Sequence, residues 1–222
     1  MNKEKILKIV TIVLTIFTII FFAASLIFYQ YCNDTSKITD SLKPIIYLYP
    51  TEATKVEVKL GHPKKLSCSY PEYKYSWKVL ANPNGKLVDL ETGRNLYSLY
   101  WEGHSTANYN FKEGFVAKSE DTAKFFEEKL AILGLNEYEA EEFIVYWLPK
   151  MQNNKYNFIR FATFDEINEY MPLEFSVEPD TLIRILMQYK TLNKPIQVDE
   201  QILNTPERTG FVAVEWGGSE IK

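Results

Sequence analysis

From residue 9 to residue 29 the chain is apolar apart from a few Thr and Ser, and no charged side chain occurs between Ile9 and Asn33. A hydrocarbon core about 30 Å thick needs roughly 20 apolar residues at about 1.5 Å rise each, so this stretch predicts a membrane-spanning helix. A secretory signal peptide shares the basic start. Its apolar region, however, runs only about 7–15 residues and ends in a small-x-small site, whereas this run is longer and closes on Ile27-Phe28-Tyr29-Gln30-Tyr31. Lys3, Lys5 and Lys8 put the N-terminus in the cytoplasm by the positive-inside rule, and Tyr29 and Tyr31 fall where an interfacial aromatic belt sits. The expected organisation is a cytoplasmic N-terminus (1–8), a transmembrane anchor (9–31), a stalk (32–42) and one extracytoplasmic β-rich domain (43–222).

Beyond the stalk the pattern changes to short alternating runs. Residues 45–49 are β-branched and aromatic between Pro44 and Pro50, and residues 55–60 alternate with period 2, which reads as two strands of a half-exposed sheet. Further strands are predicted at 66–70 and 76–81, the latter closed by an Asn84-Gly85 turn that favours positive φ. The rhythm continues through 86–90 and 95–101, a spacing of short strands and turns that indicates a sandwich-like or barrel-like first half.

A period near 3.6 takes over at Ser119. Glu120 and Asp121 bring negative charge to a first turn, Ala123, Phe126, Leu130 and Leu133 recur at spacings of 3 and 4, and Gly134 stands where a helix ends. Asn136 with Glu139 three residues on has the form of a capping box opening a second, shorter helix. Residues 143–148 either finish that helix or start a buried strand, and their β-branched and aromatic content favours a strand, paired in a hairpin with 156–162. Strands at 173–177, 181–189, 196–198 and 210–216 come after it, with prolines at their edges. The predicted class is α+β: an N-terminal transmembrane helix, then one mainly antiparallel, sandwich-like β domain with one or two inserted helices.

Charge narrows the partners. Outside the first eight residues the chain has 22 Lys and Arg against 28 Asp and Glu, and this mildly acidic balance without a basic cluster argues against nucleic acid. The two cysteines, Cys32 and Cys68, both fall at or beyond the outer boundary of the predicted span. In an oxidising compartment an even count suggests one disulfide tying the stalk to an early strand, the other reading being two unrelated buried thiols.

Four segments together carry a resemblance: Lys43-Pro44-Ile45-Ile46-Tyr47-Leu48-Tyr49-Pro50, Cys68-Ser69-Tyr70-Pro71-Glu72-Tyr73, Tyr100-Trp101-Glu102-Gly103, and Glu207-Arg208-Thr209-Gly210-Phe211 through Glu215-Trp216-Gly217-Gly218. The chain resembles a family of uncharacterised bacterial proteins with a KPxIYLYP start and an EWGG finish, over nearly all of 43–222. The resemblance implies a bacterial origin and supplies no activity or catalytic residue.

The chain contains no dinucleotide fingerprint, phosphate loop, nucleophile elbow or His-Glu-x-x-His motif, and no cofactor is expected. With only two histidines, His62 reads as a loop residue, and His104 as a loop residue that would otherwise serve as a base or zinc ligand beside Glu102. Two carboxylates stand beside tryptophan, Glu102 after Trp101 and Glu215 before Trp216. A glycosidase needs such a pair across an aromatic groove. On a strand, though, neighbours face opposite ways, which predicts each ring inward and each Glu outward.

The chain has 14 Phe, 15 Tyr and 4 Trp. Tyrosines on strands and loops make low-entropy contact surfaces for sugars or proteins, with Tyr73, Trp77, Tyr100 and Trp101 as the binding candidates. The expected function is a non-catalytic binding module at the bacterial cell surface, held in the cell membrane by one helix, with protein or cell-envelope carbohydrate as partner. The alternative is an extracytoplasmic glycan hydrolase using Glu102 and Glu215.

Overall fold

The computed structural model describes residues 2–35, 39–105 and 112–221, without the side chains of 6, 7, 9, 10, 27–35, 39–42 and 105. In chain order the elements are α1 (Lys3–Thr35), β1 (Thr39–Tyr49), β2 (Thr54–Leu60), β3 (Leu66–Tyr70), β4 (Trp77–Ala81), β5 (Leu87–Asp89), β6 (Asn95–Leu96), β7 (Leu99–Ser105), β8 (Glu113–Lys118), α2 (Thr122–Ile132), α3 (Glu137–Met151), β9 (Tyr156–Phe161), α4 (Phe164–Tyr170), β10 (Leu173–Phe175), β11 (Thr181–Leu192), β12 (Asp199–Glu200) and β13 (Val212–Glu220). They form two units, residues 1–38 and residues 39–222.

The first unit is α1. Its described large apolar side chains, among them Ile12, Leu14, Phe17, Ile20 and Phe22, are all exposed. Thr11, Thr15 and Phe21 carbonyls accept hydrogen bonds from Thr15, Thr18 and Ser25 hydroxyls, so the polar interruptions are satisfied within the helix. Among the described residues no helix is long and apolar enough to cross a membrane.

The second unit is an α+β domain of three layers. An eight-stranded sheet in the order β12-β8-β9-β11-β13-β1-β7-β3 packs one face on α2 and α3 and the other on a five-stranded sheet, β10-β2-β4-β5-β6. Strand alternation divides the sheet's side chains between two cores. Ile45 and Tyr47 of β1 join the helices with Val214 and Trp216 of β13, while Ile46, Leu48 and Ala213 join Val58, Val79 and Leu87 of the second sheet. Pairing is mainly antiparallel, but β11 runs parallel to β13 through nine residue pairs, from Thr181–Val212 to Tyr189–Glu220, and β12 parallel to β8.

Three expectations need correction. Residues 143–148 are helical, not a strand: Phe143, Trp147 and Met151 recur at i, i+4 and i+8 and are buried on one stripe of α3, and that packing overrides strand propensity. Two elements were not expected, β8 and α4, although Thr163 caps α4 in a full capping box with Glu166. The short strand expected at 196–198 lies instead at Asp199–Glu200.

The central strand β1 is itself irregular. It shifts register against both neighbours between residues 41–42 and Ile45, and Lys43 in that bulge has φ 52°, a left-handed conformation uncommon for a residue with a Cβ. Opposite it, a Cβ on Gly217 would lie 2.9 Å from the Pro44 Cα, and one on Gly218 2.7 Å from the Trp147 ring. The paired glycines after Glu215-Trp216 are therefore the clearance for this bulge and for α3.

Candidate functional site

Because β1 alternates, Tyr47 and Tyr49 point to the helical side with Ile45, and their rings stack at 6.4 Å and 8°. The N-terminal half of α3 stands beside them. Asn136 caps the helix, its side chain accepting from Glu139 N at 3.0 Å while Glu139 Oε2 accepts from Asn136 N at 2.8 Å. With the helix phase so fixed, Glu139 turns inward, and Tyr138, Glu142 and Val145 border a cavity. That cavity has a volume of about 510 Å³, within the range of small-ligand sites, and is floored by Tyr47 and Tyr49 and rimmed by Lys43, Lys86 and Tyr97.

Two of its three carboxylates, Glu139 and Glu142, differ in their partners. Glu139 is buried and paired with Arg208 at 2.8 and 3.0 Å, and that guanidinium also lies 5.4 Å from the Tyr49 ring centre. Glu142 accepts hydrogen bonds from two phenols, Tyr47 in a very short bond and Tyr97 at 3.1 Å, and forms no ion pair among the described residues. Burial first, then the Glu142 bond and charge, pushes Tyr47 far above the ordinary phenol range, and burial followed by the Glu142 charge raises Tyr97. Both hydroxyls therefore remain neutral donors at physiological pH.

A smaller cavity of about 330 Å³ adjoins through Lys43 and Tyr97 and is lined by Tyr70 and Tyr100. Here Lys43 links several groups: its amide donates to Glu102 Oε1 at 3.3 Å, and its ammonium lies 4.9 Å from the Tyr146 ring and 5.3 Å from that of Trp216. Burial and the Glu102 hydrogen bond raise the Tyr100 phenol.

The residues expected to carry function lie apart from one another. Glu215 does not face solvent. It is 4% exposed and bound by Arg184, Nε to Oε2 at 2.7 Å, and by Trp101 Nε1 at 2.9 Å. Arg184 also donates to Asn168 and to the Met171 carbonyl, which ties the end of α4 to the sheet. Glu102 neighbours Trp101 on β7 and so projects from the opposite, helical face. The sheet thus separates the two carboxylates proposed as a hydrolytic pair, and no substrate bond lies between them.

His104 is exposed near the end of β7, and His62 is exposed in its loop. Trp101 and Trp77 are core residues, and the half-buried Tyr73 packs edge-on against Trp77 at 4.9 Å with its hydroxyl accepting from Leu60 N, so the two tryptophans offer no contact surface and Tyr73 is held in a structural role. Of the four binding candidates, Tyr100 lines the smaller cavity. Cys68 is exposed and bonded to no other cysteine among the described residues, and the side chain of Cys32 lies outside them. Among the described residues no group of three or more His, Cys, Asp or Glu is arranged to hold a metal.

Sequence reasoning missed Tyr138 and Glu142 as site residues: both fall on the helix expected from Asn136, but nothing local tells that this helix stands beside Tyr47 and Tyr97. A larger depression of about 730 Å³ beside β8 and α2 has weaker claims. Its Lys129 is already engaged, paired with Glu200 at 3.3 Å and 4.5 Å from the Phe115 ring.

The fold and cavity define an α+β protein of three layers, with a tyrosine-lined recess where one end of the central sheet meets a helix. No family model and no solved structure matches it significantly. A protein of Butyrivibrio fibrisolvens described as "uncharacterized protein in bglA 3′region" is 40% identical over 67 residues, 29% of this chain and 68% of that protein. The chain belongs to the same family as that protein.

Proposed function

We propose that the chain is a single-pass membrane protein displaying its β domain outside a bacterial cell as a non-catalytic binding module, with the cavity between β1 and α3 as the binding site. The observation that carries this is Glu142: a carboxylate held by two neutral phenols, with no ion pair among the described residues, opening onto a concave surface of tyrosine rings. Convergent polar groups in an aromatic recess are the general form of a small-ligand site. The anchor rests on the uncharged run from Ile9 to Asn33 and on the exposed apolar side chains of α1.

The full-length chain is expected to fractionate with membranes, and protease added to intact cells should remove the domain. Recovery in the cytosolic fraction would overturn the anchor. In the same compartment Cys32 and Cys68 are proposed to form a disulfide closing a loop of about 36 residues, a bridge stabilising by about 3–4 kcal/mol in the chain-entropy model. Thiol labelling of the native membrane form should then find neither cysteine, and two reactive thiols would remove the bridge.

A further inference from the structure

We propose that the cavity beside α3 takes a neutral saccharide, one sugar ring against Tyr97 and Tyr138 and a pair of its hydroxyls on Glu142. This rests on the binding-module reading and adds the class of ligand.

Charge around the opening is balanced. Arg208 neutralises Glu139 inside the wall, which leaves Glu141 and Glu142 against Lys43 and Lys86. Lys43 is further engaged with the rings of Tyr146 and Trp216. A lining with two charges of each sign gives neither an anion nor a cation a net field to follow, and suits an uncharged ligand rich in donors and acceptors.

Glu142 is oriented yet unsaturated. A carboxylate has about four lone-pair sites. Tyr47 takes one on Oε2 and Tyr97 one on Oε1, so each oxygen keeps acceptor capacity while the two phenols hold its plane. Two adjacent hydroxyls of a sugar match two such oxygens, and the raised phenols cannot compete by ionising.

Exposed rings complete the recess. Tyr97 is 57% and Tyr138 82% exposed, yet both border one concavity rather than being scattered. A sugar's C–H face packs on such a ring while the polar tip stays wet. A peptide adding as a strand is disfavoured, because β1, which floors the cavity, is already paired on both sides by β13 and β7.

The test is calorimetry on the full chain in nanodiscs free of sugar detergent. The probes are neutral tetrasaccharides of glucose, xylose, mannose and N-acetylglucosamine, with polygalacturonate and polylysine as charged members. At least one neutral tetrasaccharide should bind, with affinity changing less than twofold between 0.1 and 0.5 M salt. Tyr138→Ala and Glu142→Gln should each weaken it tenfold or more while the thermal midpoint of Tyr138→Ala holds. Binding only of a charged polymer, lost in the Tyr138→Ala variant, overturns the saccharide and keeps the binding module. Binding of no probe overturns the inference, and the cavity as a ligand site with it. Shortening of a bound tetrasaccharide would keep the ligand class and overturn the non-catalytic reading.

Discussion

On one face of the eight-stranded sheet Glu215 accepts a hydrogen bond from Trp101, and on the other Glu142 accepts hydrogen bonds from Tyr47 and Tyr97. The difference is a cation. Glu215 is closed in by Arg184, whose other nitrogens donate to Asn168 and the Met171 carbonyl, so the pair is held inside the packing of the sheet. Glu142 has no such partner among the described residues and opens on a cavity. A buried charge that is paired and fully hydrogen-bonded fixes how layers dock, whereas a carboxylate oriented by neutral donors and left open keeps binding capacity. Proximity to tryptophan, the feature that singled out Glu215 in the sequence, marks the structural one of the two.

The largest effect expected is at Glu215. Glu215→Gln leaves Arg184 charged and enclosed, so urea unfolding should show a loss of about 3–5 kcal/mol, the usual cost of breaking a buried pair from one side. A loss below about 1 kcal/mol would mean that Arg184 reaches water, and the contrast between the faces would collapse.

Next is Tyr47→Phe, which removes a hydrogen bond to a charged group and should cost about 1.5–3 kcal/mol. Burial and Glu142 raise this phenol in the folded protein, so the stability it contributes is fully present below the unfolded value of about 10 and is lost as pH rises through the folded value. Absorbance titration of the folded protein should therefore count as many phenols ionising near pH 10 in Tyr47→Phe as in the parent. One phenol fewer in the variant would contradict the buried, neutral donor.

Several of these features were readable in advance and others were not, for physical reasons. The Asn136 and Glu139 capping box is local, and the structure has it as the sequence implies. The end of α3 is not local. Phe143 to Leu148 has strand composition, and only burial of Phe143, Trp147 and Met151 against the sheet decides for the helix. The site was hidden for another reason: Tyr138 and Glu142 lie on the helix that the capping box announces, but only tertiary packing brings Glu142 to Tyr47 and Tyr97. Glu215 misled for a related reason: its partner Arg184 is 31 residues earlier on the parallel neighbour β11, and alternation alone assigns a strand carboxylate to solvent. The small element α4 was signed by Thr163 and Glu166 but is only seven residues long, too short for a period to show.

A smaller effect separates the faces at low pH. Glu166 is desolvated, which works against its charge, but bonds from the Thr163 backbone and from Arg160 at 2.9 Å outweigh this and hold its carboxyl below the ordinary value. A depressed carboxylate contributes stability present above its unfolded value, about 4.3, and lost as pH falls through the folded one. Glu166→Gln should accordingly flatten the acid limb of a stability–pH curve below about pH 4.3. An unchanged limb would show that Arg160 is held by Gln188 alone.

The smallest effect on the fold, and the sharpest for the comparison, is expected at Tyr138. The side chain is 82% exposed on α3, outside the buried stripe of Phe143, Trp147 and Met151, and caps nothing. Replacing an exposed side chain of this kind changes stability by no more than about 0.5 kcal/mol, and alanine is if anything the better helix former. Tyr138→Ala should thus leave the urea midpoint where it was while the cavity beside α3 loses its outer ring. If instead stability fell by about 2 kcal/mol or more, well beyond the range for an exposed site, Tyr138 would belong to the packing of the domain, and the helical face would resemble the Glu215 face in using its aromatic residues to hold layers together.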